Sequence, residues 1–240
     1  PSLYKIYEYN YARNQKDVSV FEIGKGFYKK GEVYGESKKL CALMSGEHFI
    51  GINNKKEVDF YVIKGVAEEL LDYLGYANRY SFIIPKNIAA EFHPGQVAEI
   101  SVNNDVVGII GRLHPEVTSE KVFVMEIDLD KLLSKKVGGM KYKEISKYPT
   151  IKKDLAIIID NDVQSLEAAK ILKKAAGNLL TDIEVFDVYT GKGIEEGKKS
   201  IAYSLSFGAN DRTLTDDEIN SVLEKIIEAA QNKLGAELRK

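Results

Sequence analysis

Two residues of a predicted strand combine a stacking surface with a hydrogen-bond acceptor. In the segment FDVY, residues 186–189, the side chains alternate, so Asp187 and Tyr189 share one face. The phenol ring of Tyr189 can stack on a flat ligand, and the carboxylate of Asp187 can accept hydrogen bonds from the edge of that ligand. The opposite face is apolar and is predicted to belong to the core; it carries Phe186 and Val188.

The next predicted strand, SIAYSLSF at residues 200–207, continues both faces. Its small residues, which include Ser200 and Ala202, fall on one side and leave room for something flat to lie on the sheet. Ser200 adds a hydroxyl that can both donate and accept. The other side of this strand is fully apolar and is predicted to be core: Ile201, Tyr203, Leu205 and Phe207.

This combination is the one by which open sheets read single-stranded RNA, with bases stacked on aromatic rings. Cations at the rim would contact phosphates, and we expect them to be Lys152, Lys153, Lys198, Lys199 and Arg212. The charge argues against RNA, because the chain has a formal net charge of −2 and residues 146–240 hold more acidic than basic side chains. RNA binding, an assembly role in which the sheet contacts protein, and binding of a small effector between paired domains all remain open.

The elements that position these residues form a regular series. Asp154–Asp160 predicts a first strand, Leu166–Ala176 a helix ended by Gly177, and AELRK at residues 236–240 a last strand. A second helix begins at a capping box formed by Thr215 and Glu218 and ends at Gly235. The order β-α-β-β-α-β predicts a ferredoxin-like plait, four antiparallel strands with both helices on one face.

The first part of the chain predicts an antiparallel sheet with one clear helix. Apolar residues recur at helical spacing after Glu57, and Gly75 stands where such a helix would end. Asn103 and Asn104 lie between two alternating runs and indicate a tight hairpin. The lysine-rich, Gly-Gly-containing stretch at residues 134–147 is the predicted linker, which gives an α+β chain with domains at 1–140 and 146–240.

Several function classes find little support in these residues. The three histidines are scattered and no cysteine cluster accompanies them, so no metal site is predicted, and no nucleophile has a base placed beside it. Two Gly-Lys-Gly triplets, at 24–26 and 191–193, lack the spacing of phosphate loops and are predicted to be hairpin turns. No apolar run approaches the roughly 20 residues of a membrane span, and the single Cys41 fits a reducing cytoplasm.

The segments that carry the candidate site also resemble a known family. YPTIKKDLAIIID, LLTDIEVFDVYTGKGIEEGKKSIAYSLSF and DRTLTDDEIN resemble the anticodon-binding domain that ends the bacterial phenylalanyl-tRNA synthetase beta subunit. NYARNQKDVSVFEIGKGF, EVDFYVIKGVAEELLDYLG, EFHPGQVAEISV and VVGIIGRLHPEV are similar to the region preceding it in that family. The resemblance covers nearly the whole chain, but Lys152 and Lys153 stand where relatives often carry arginines.

The resemblance implies a role for each part. The first would be a class II synthetase-like module without its own active site, packed against the alpha subunit that binds phenylalanine, ATP and Mg²⁺ in a holoenzyme of two alpha and two beta chains. The second would contact the anticodon of tRNA(Phe) through its open sheet, with contacts falling on Asp187, Tyr189 and Ser200. The fragment itself is expected to be non-catalytic and to bind no cofactor.

Overall fold

The computed structural model describes residues 1–51, 54–137 and 146–239. The chain is α+β with antiparallel sheets, and it divides into two compact units, Pro1–Lys141 and Tyr142–Lys240. Of the predicted linker, residues 138–145 lie outside the described residues, and the domain limits 1–140 and 146–240 remain a prediction.

The first unit is built around a six-stranded antiparallel sheet in the order β1-β2-β8-β7-β6-β5, with a separate hairpin formed by β3 and β4. Its elements in chain order are α1 (Ser2–Tyr11), β1 (Val18–Lys30), β2 (Val33–Ser45), β3 (Glu47–Gly51), β4 (Asn54–Glu57), α2 (Phe60–Tyr73), β5 (Tyr80–Ile83), β6 (Phe92–Val102), β7 (Asp105–Leu113), β8 (Val122–Asp128) and α3 (Leu129–Leu133).

Helices cover both faces of this sheet. The stripe Ile63, Ala67 and Leu71 of α2 is fully buried against alternate residues of the central strands, which include Ile100 and Ile127. A second cluster packs α1 on the other face; it consists of Leu3, Tyr7, Val18, Leu43, Leu113 and Val122. The alternation of the strands therefore serves two cores, one on each side.

The sequence-based expectations for this unit are met in part. The predicted helix begins at Phe60 rather than near Glu57, because the Asp59 carboxylate accepts from the Val62 amide and caps the helix. The hairpin at Asn103 and Asn104 is confirmed, and both residues have the positive φ that a two-residue turn of this kind requires. The turn predicted at residues 24–26 is wrong, since these residues lie inside β1.

The second unit is a four-stranded antiparallel sheet in the order β10-β11-β9-β12, with two helices. Its elements in chain order are β9 (Ile151–Asp160), α4 (Ser165–Ala176), β10 (Leu180–Tyr189), β11 (Lys198–Phe207), α5 (Asp216–Leu234) and β12 (Glu237–Leu238). The predicted order β-α-β-β-α-β is confirmed. The last strand is shorter than predicted, with only two residues paired to β9.

Both helices pack on the same face of this sheet. Apolar residues of α4, such as Leu172, and of α5, such as Ile226, are fully buried against the predicted core face of β11. The capping box of Thr215 and Glu218 is present, and Gly235 ends α5 in the left-handed conformation. None of the helices in the described part of the chain combines the length and apolar character needed to cross a membrane.

Candidate nucleic-acid interface

The candidate site lies on the open face, by which we mean the side chains of the β10-β11-β9-β12 sheet that point away from α4 and α5. Strand register sets its rows. One row runs from Tyr189 through Ser200 and Ile158 to Glu237, and the next begins with Asp187, Ala202 and Ala156. Two further rows consist of Glu184, Ser204 and Asp154, and of Asp182, Ser206 and Lys152.

A β-bulge places Asp187 and Tyr189 on this face. Val185 pairs with Tyr203 on the core face, yet Asp187 pairs with Ala202 on the open face, so Phe186 is an extra residue. Without the extra residue, strict alternation from Val185 would turn Asp187 and Tyr189 towards the helices. The bulge therefore places the two candidate side chains on the open face.

The expectation that Phe186 and Val188 are core residues is wrong. Phe186 is 56% exposed and Val188 is 53% exposed. The reason is that β10 is an edge strand, and the buried core reaches it only at Leu180, with Ile183 partly buried against it. The end of β10 that carries the site thus extends past the cover of the helices.

The ring of Tyr189 is fixed by the loop that follows it. Its hydroxyl donates to the carbonyl of Lys192 at 3.3 Å. The ring also packs on Gly191, where a Cβ atom would come within 2.8 Å of the phenol oxygen and would force the ring to shift. The ring is thus half-buried and in contact with the loop at two points.

Arg239 lies over this ring. Its guanidinium carbon is 4.9 Å from the centroid of the Tyr189 ring, and its Nη1 donates to the hydroxyl of Ser200 at 3.4 Å. Ser200 is only 2% exposed. The expectation that its hydroxyl is open to a ligand is therefore wrong in this arrangement, because Ser200 is buried and its hydroxyl is hydrogen-bonded to the guanidinium.

Lys198 joins the site to the last strand. Its ammonium group lies 2.9 Å from the carboxylates of both Glu195 and Glu237. Hydrogen bonds to Glu195 and then to Glu237 raise the pKa of Lys198 above its usual value. This lysine is therefore charged at neutral pH but already has two anionic partners.

The remaining predicted cations do not surround Tyr189. Lys152 is on the open face beside Ser206, about 20 Å along the sheet from Ser200 at 3.3 Å per residue. Lys153 and Lys199 pair with core-face residues, and the ammonium of Lys199 donates to the carbonyl of Asn161 at 2.7 Å.

Arg212 lies beyond the far end of β11, at the start of α5. Its guanidinium binds Asp211 at 3.0 Å and Glu218 at 2.7 Å. The hydrogen bond with Glu218 raises the pKa of Arg212 and lowers that of Glu218.

Of the nine predicted site residues, the structure brings five together: Asp187, Tyr189, Ser200, Ala202 and Lys198. The roles of all nine remain predictions.

Carboxylates outnumber cations on the open face. The exposed acids are Asp154, Asp160, Asp182, Glu184, Asp187 and Glu237, whereas Lys152, Lys198 and Arg239 are its cations. A surface with more negative than positive charges gains little binding free energy from contacts with phosphates. Its acceptors instead suit the amino groups on base edges, so the arrangement favours reading of bases over general attraction to the RNA backbone.

Sequence reasoning did not identify Arg239 as part of the site. The signal was present, because alternation around Leu238 in the predicted last strand puts Glu237 and Arg239 together on one face. The backbone amide of Arg239 indeed continues the ladder by donating to the carbonyl of Ala156 at 3.1 Å.

Catalytic chemistry finds no clear support in the described residues. In that part of the chain, no group of three or more His, Cys, Asp and Glu side chains is arranged to hold a metal ion. Burial raises the pKa of the Cys41 thiol, which makes it a weaker nucleophile at neutral pH.

Two protein families match the chain. Residues 1–129 match the family described as "Phenylalanyl tRNA synthetase beta chain CLM domain", and residues 146–239 match the "Ferredoxin-fold anticodon binding domain". The second match covers the unit that carries the open face.

Curated relatives match over the same length. Proteins named phenylalanine–tRNA ligase beta subunit are 36% identical in Bacillus cereus and 34% identical in Bacillus subtilis, in both cases over 100% of this chain. The protein of that name in Clostridium acetobutylicum is 36% identical over 96% of the chain. The chain spans only 30% of the length of the two Bacillus proteins and 28% of the Clostridium protein.

Proposed function

Because the chain belongs to the phenylalanyl-tRNA synthetase beta-chain family, we propose that it acts as part of phenylalanine–tRNA ligase and that its open face contacts the anticodon of tRNA(Phe). One observation carries the proposal. The unit matched by the anticodon-binding family leaves one sheet face free of helices, and an aromatic ring and a carboxylate lie on that face.

In this proposal each residue of the site has a separate task. The Tyr189 ring stacks on an unpaired base, since every base offers a flat π surface. The Asp187 carboxylate accepts from an exocyclic amino group, and Ser200 contributes its hydroxyl if it is uncovered. Ala202 keeps the surface low beside them, and Lys198 supplies a cation at the edge.

The other predicted cations are proposed as peripheral contacts. Lys152 is exposed on the open face. Lys153 and Lys199 lie on the opposite face of the sheet, where the helices pack. Arg212 is exposed and already holds two carboxylates. We expect these four to contribute less than the residues that surround Tyr189.

The first unit, in our proposal, is a class II synthetase-like module that packs on the alpha subunit of the enzyme. Its six-stranded antiparallel sheet is compatible with such a module. The β1–β2 hairpin exposes large side chains, among them Phe21, Phe27 and Tyr34, and a subunit contact would bury surface of this kind. Phenylalanine, ATP and Mg²⁺ would then be bound by the alpha subunit of a cytoplasmic enzyme.

A binding measurement with the anticodon stem-loop of tRNA(Phe) tests the proposal. Replacing Tyr189 with alanine removes the stacking surface, so we expect a loss of about 1–3 kcal/mol, or roughly 5- to 150-fold in Kd. Tyr73→Ala is the matched control, because Tyr73 is exposed and lies in the first unit. Equal binding by both variants would favour the rival interpretation, a module whose sheet contacts protein, which the matched families do not favour.

A further inference from the structure

The guanidinium of Arg239 occupies the place that a stacked base would take. It lies 4.9 Å from the centroid of the Tyr189 ring. Two flat groups in contact are separated by about 3.5 Å, so a base inserted between ring and guanidinium would need about 7 Å. The observed gap is too small, and Arg239 must move before a base can stack on this side of Tyr189.

The same side chain also covers a second candidate contact. Its Nη1 donates to the hydroxyl of Ser200, which is almost completely buried. Displacing the guanidinium would therefore uncover the aromatic surface and release the hydroxyl from this hydrogen bond in one movement.

The segment that holds Arg239 is weakly anchored. It follows Ala236, which is buried, and Gly235, the left-handed residue that ends α5. Beyond these, β12 pairs only two residues with β9, and Arg239 adds one backbone hydrogen bond to Ala156. The Glu237–Lys198 ion pair is mostly solvent-exposed on the glutamate side. A short strand held by so few backbone hydrogen bonds opens at low cost.

We propose that Arg239 is an intramolecular gate that closes the base-binding surface of Tyr189 when no RNA is bound. This inference rests on the proposed function and adds a regulatory step to it. In the closed state the guanidinium stands in for a base, and stacking of a base on this side of the ring requires the guanidinium to move away. The apparent affinity for RNA is then reduced by the fraction of molecules in which the gate is closed.

The size of the effect follows from the contact itself. An exposed cation–π contact corresponds to about a 2- to 5-fold change in an equilibrium constant. Removing the guanidinium should therefore tighten binding to the anticodon stem-loop by about 2- to 5-fold. A residue that contacted RNA directly would show the opposite sign.

The test compares two variants of the full 240-residue chain in the same salt, with the tRNA(Phe) anticodon stem-loop as probe. Arg239→Ala opens the gate, and Lys233→Ala, an exposed lysine in the last turn of α5, removes the same charge elsewhere in the unit. Tighter binding by Arg239→Ala than by Lys233→Ala supports the gate, as does binding by Arg239→Ala when the unchanged chain does not bind.

Three other results would overturn it. If the unchanged chain binds and Arg239→Ala binds no better than Lys233→Ala, the gate is wrong while the proposed function stands. If Arg239→Ala binds more weakly than Lys233→Ala, Arg239 is itself an RNA contact and not a gate. If neither the unchanged chain nor Arg239→Ala binds, the gate and the proposed anticodon contact both fail.

Discussion

Replacing Tyr203 with phenylalanine tests how the core beneath the open face is built. Tyr203 is fully buried, and its hydroxyl donates to the carbonyl of Ser165 at the start of α4, at a distance of 3.1 Å. Removing the hydroxyl eliminates one buried hydrogen bond without removing the ring. Such a loss costs about 0.5–1.5 kcal/mol, so we expect the free energy of unfolding to fall by about 1 kcal/mol at neutral pH.

In alkaline solution the same substitution should raise the free energy of unfolding instead of lowering it. Burial raises the pKa of Tyr203 from 10.0 to about 12. Between these values the folded chain keeps a proton that the unfolded chain has lost, so stability is fully present below pH 10 and falls as the pH rises towards about 12. A difference of about two pKa units corresponds to roughly 2–3 kcal/mol.

The variant lacks this titration. The deficit in its free energy of unfolding, relative to the unchanged chain, should therefore shrink above about pH 10 and reverse near pH 11. Urea unfolding followed by circular dichroism at a series of pH values measures the effect. Because the chain has two units, the free energy of unfolding is taken from the transition that the substitution shifts. Tyr148→Phe, at an exposed tyrosine of the same unit, is the control. If the free energies of unfolding of the unchanged chain and of Tyr203→Phe differ by the same amount across this pH range, the reasoning is refuted.

Two further substitutions test other parts of the second unit by urea unfolding. Thr215→Ala removes the side chain that accepts from the Glu218 amide in the capping box, and we expect a loss of about 1 kcal/mol; an unchanged midpoint would show that the box contributes nothing. Leu172→Ala empties a fully buried site of α4 and should cost about 2–5 kcal/mol, whereas Leu166→Ala on the same helix, at a leucine that is 43% exposed, should cost clearly less. Similar losses in the two leucine variants would contradict the assigned core.

Much of the second unit could be predicted because its local signals agree with one another. Gly177 and Gly235 end the two helices, the capping box begins α5, and the alternation of β11 separates its buried from its small residues. In each case a residue type suits the local backbone conformation, glycine because it tolerates positive φ, and tertiary packing does not oppose it.

The helix α1 had an equally readable pattern that the sequence interpretation did not use. Leu3, Tyr7 and Tyr11 recur every four residues, and Leu3 and Tyr7 are buried. Tyrosine is common in strands, and the helix has no side-chain cap at its start, so neither propensity nor capping pointed to a helix. Only the spacing did.

The exposure of Ser200 could not be predicted, because it depends on a residue from the end of the chain. Alternation along β11 correctly places Ser200 on the open face. The guanidinium that donates to its hydroxyl comes from Arg239, and that contact exists only because β12 pairs beside β9. A pattern within one strand gives the direction of a side chain but not what another segment lays over it.

The bulge in β10 connects the sequence pattern, the edge of the sheet and the candidate site. In IEVFDVY the apolar residues fall at Ile183 and Val185 and then shift by one to Phe186 and Val188, and two adjacent apolar residues mark the change. In a strand without a bulge, the segments before and after Phe186 could not both face their apolar residues to the core. One of the two would turn its polar residues into the core instead. The extra residue resolves this conflict by turning Tyr189 outward, and it also disrupts a strand edge that could otherwise pair with another chain. The bulge therefore lies where the apolar pattern changes register at the edge of the sheet, and Phe186 is the extra residue that this change requires.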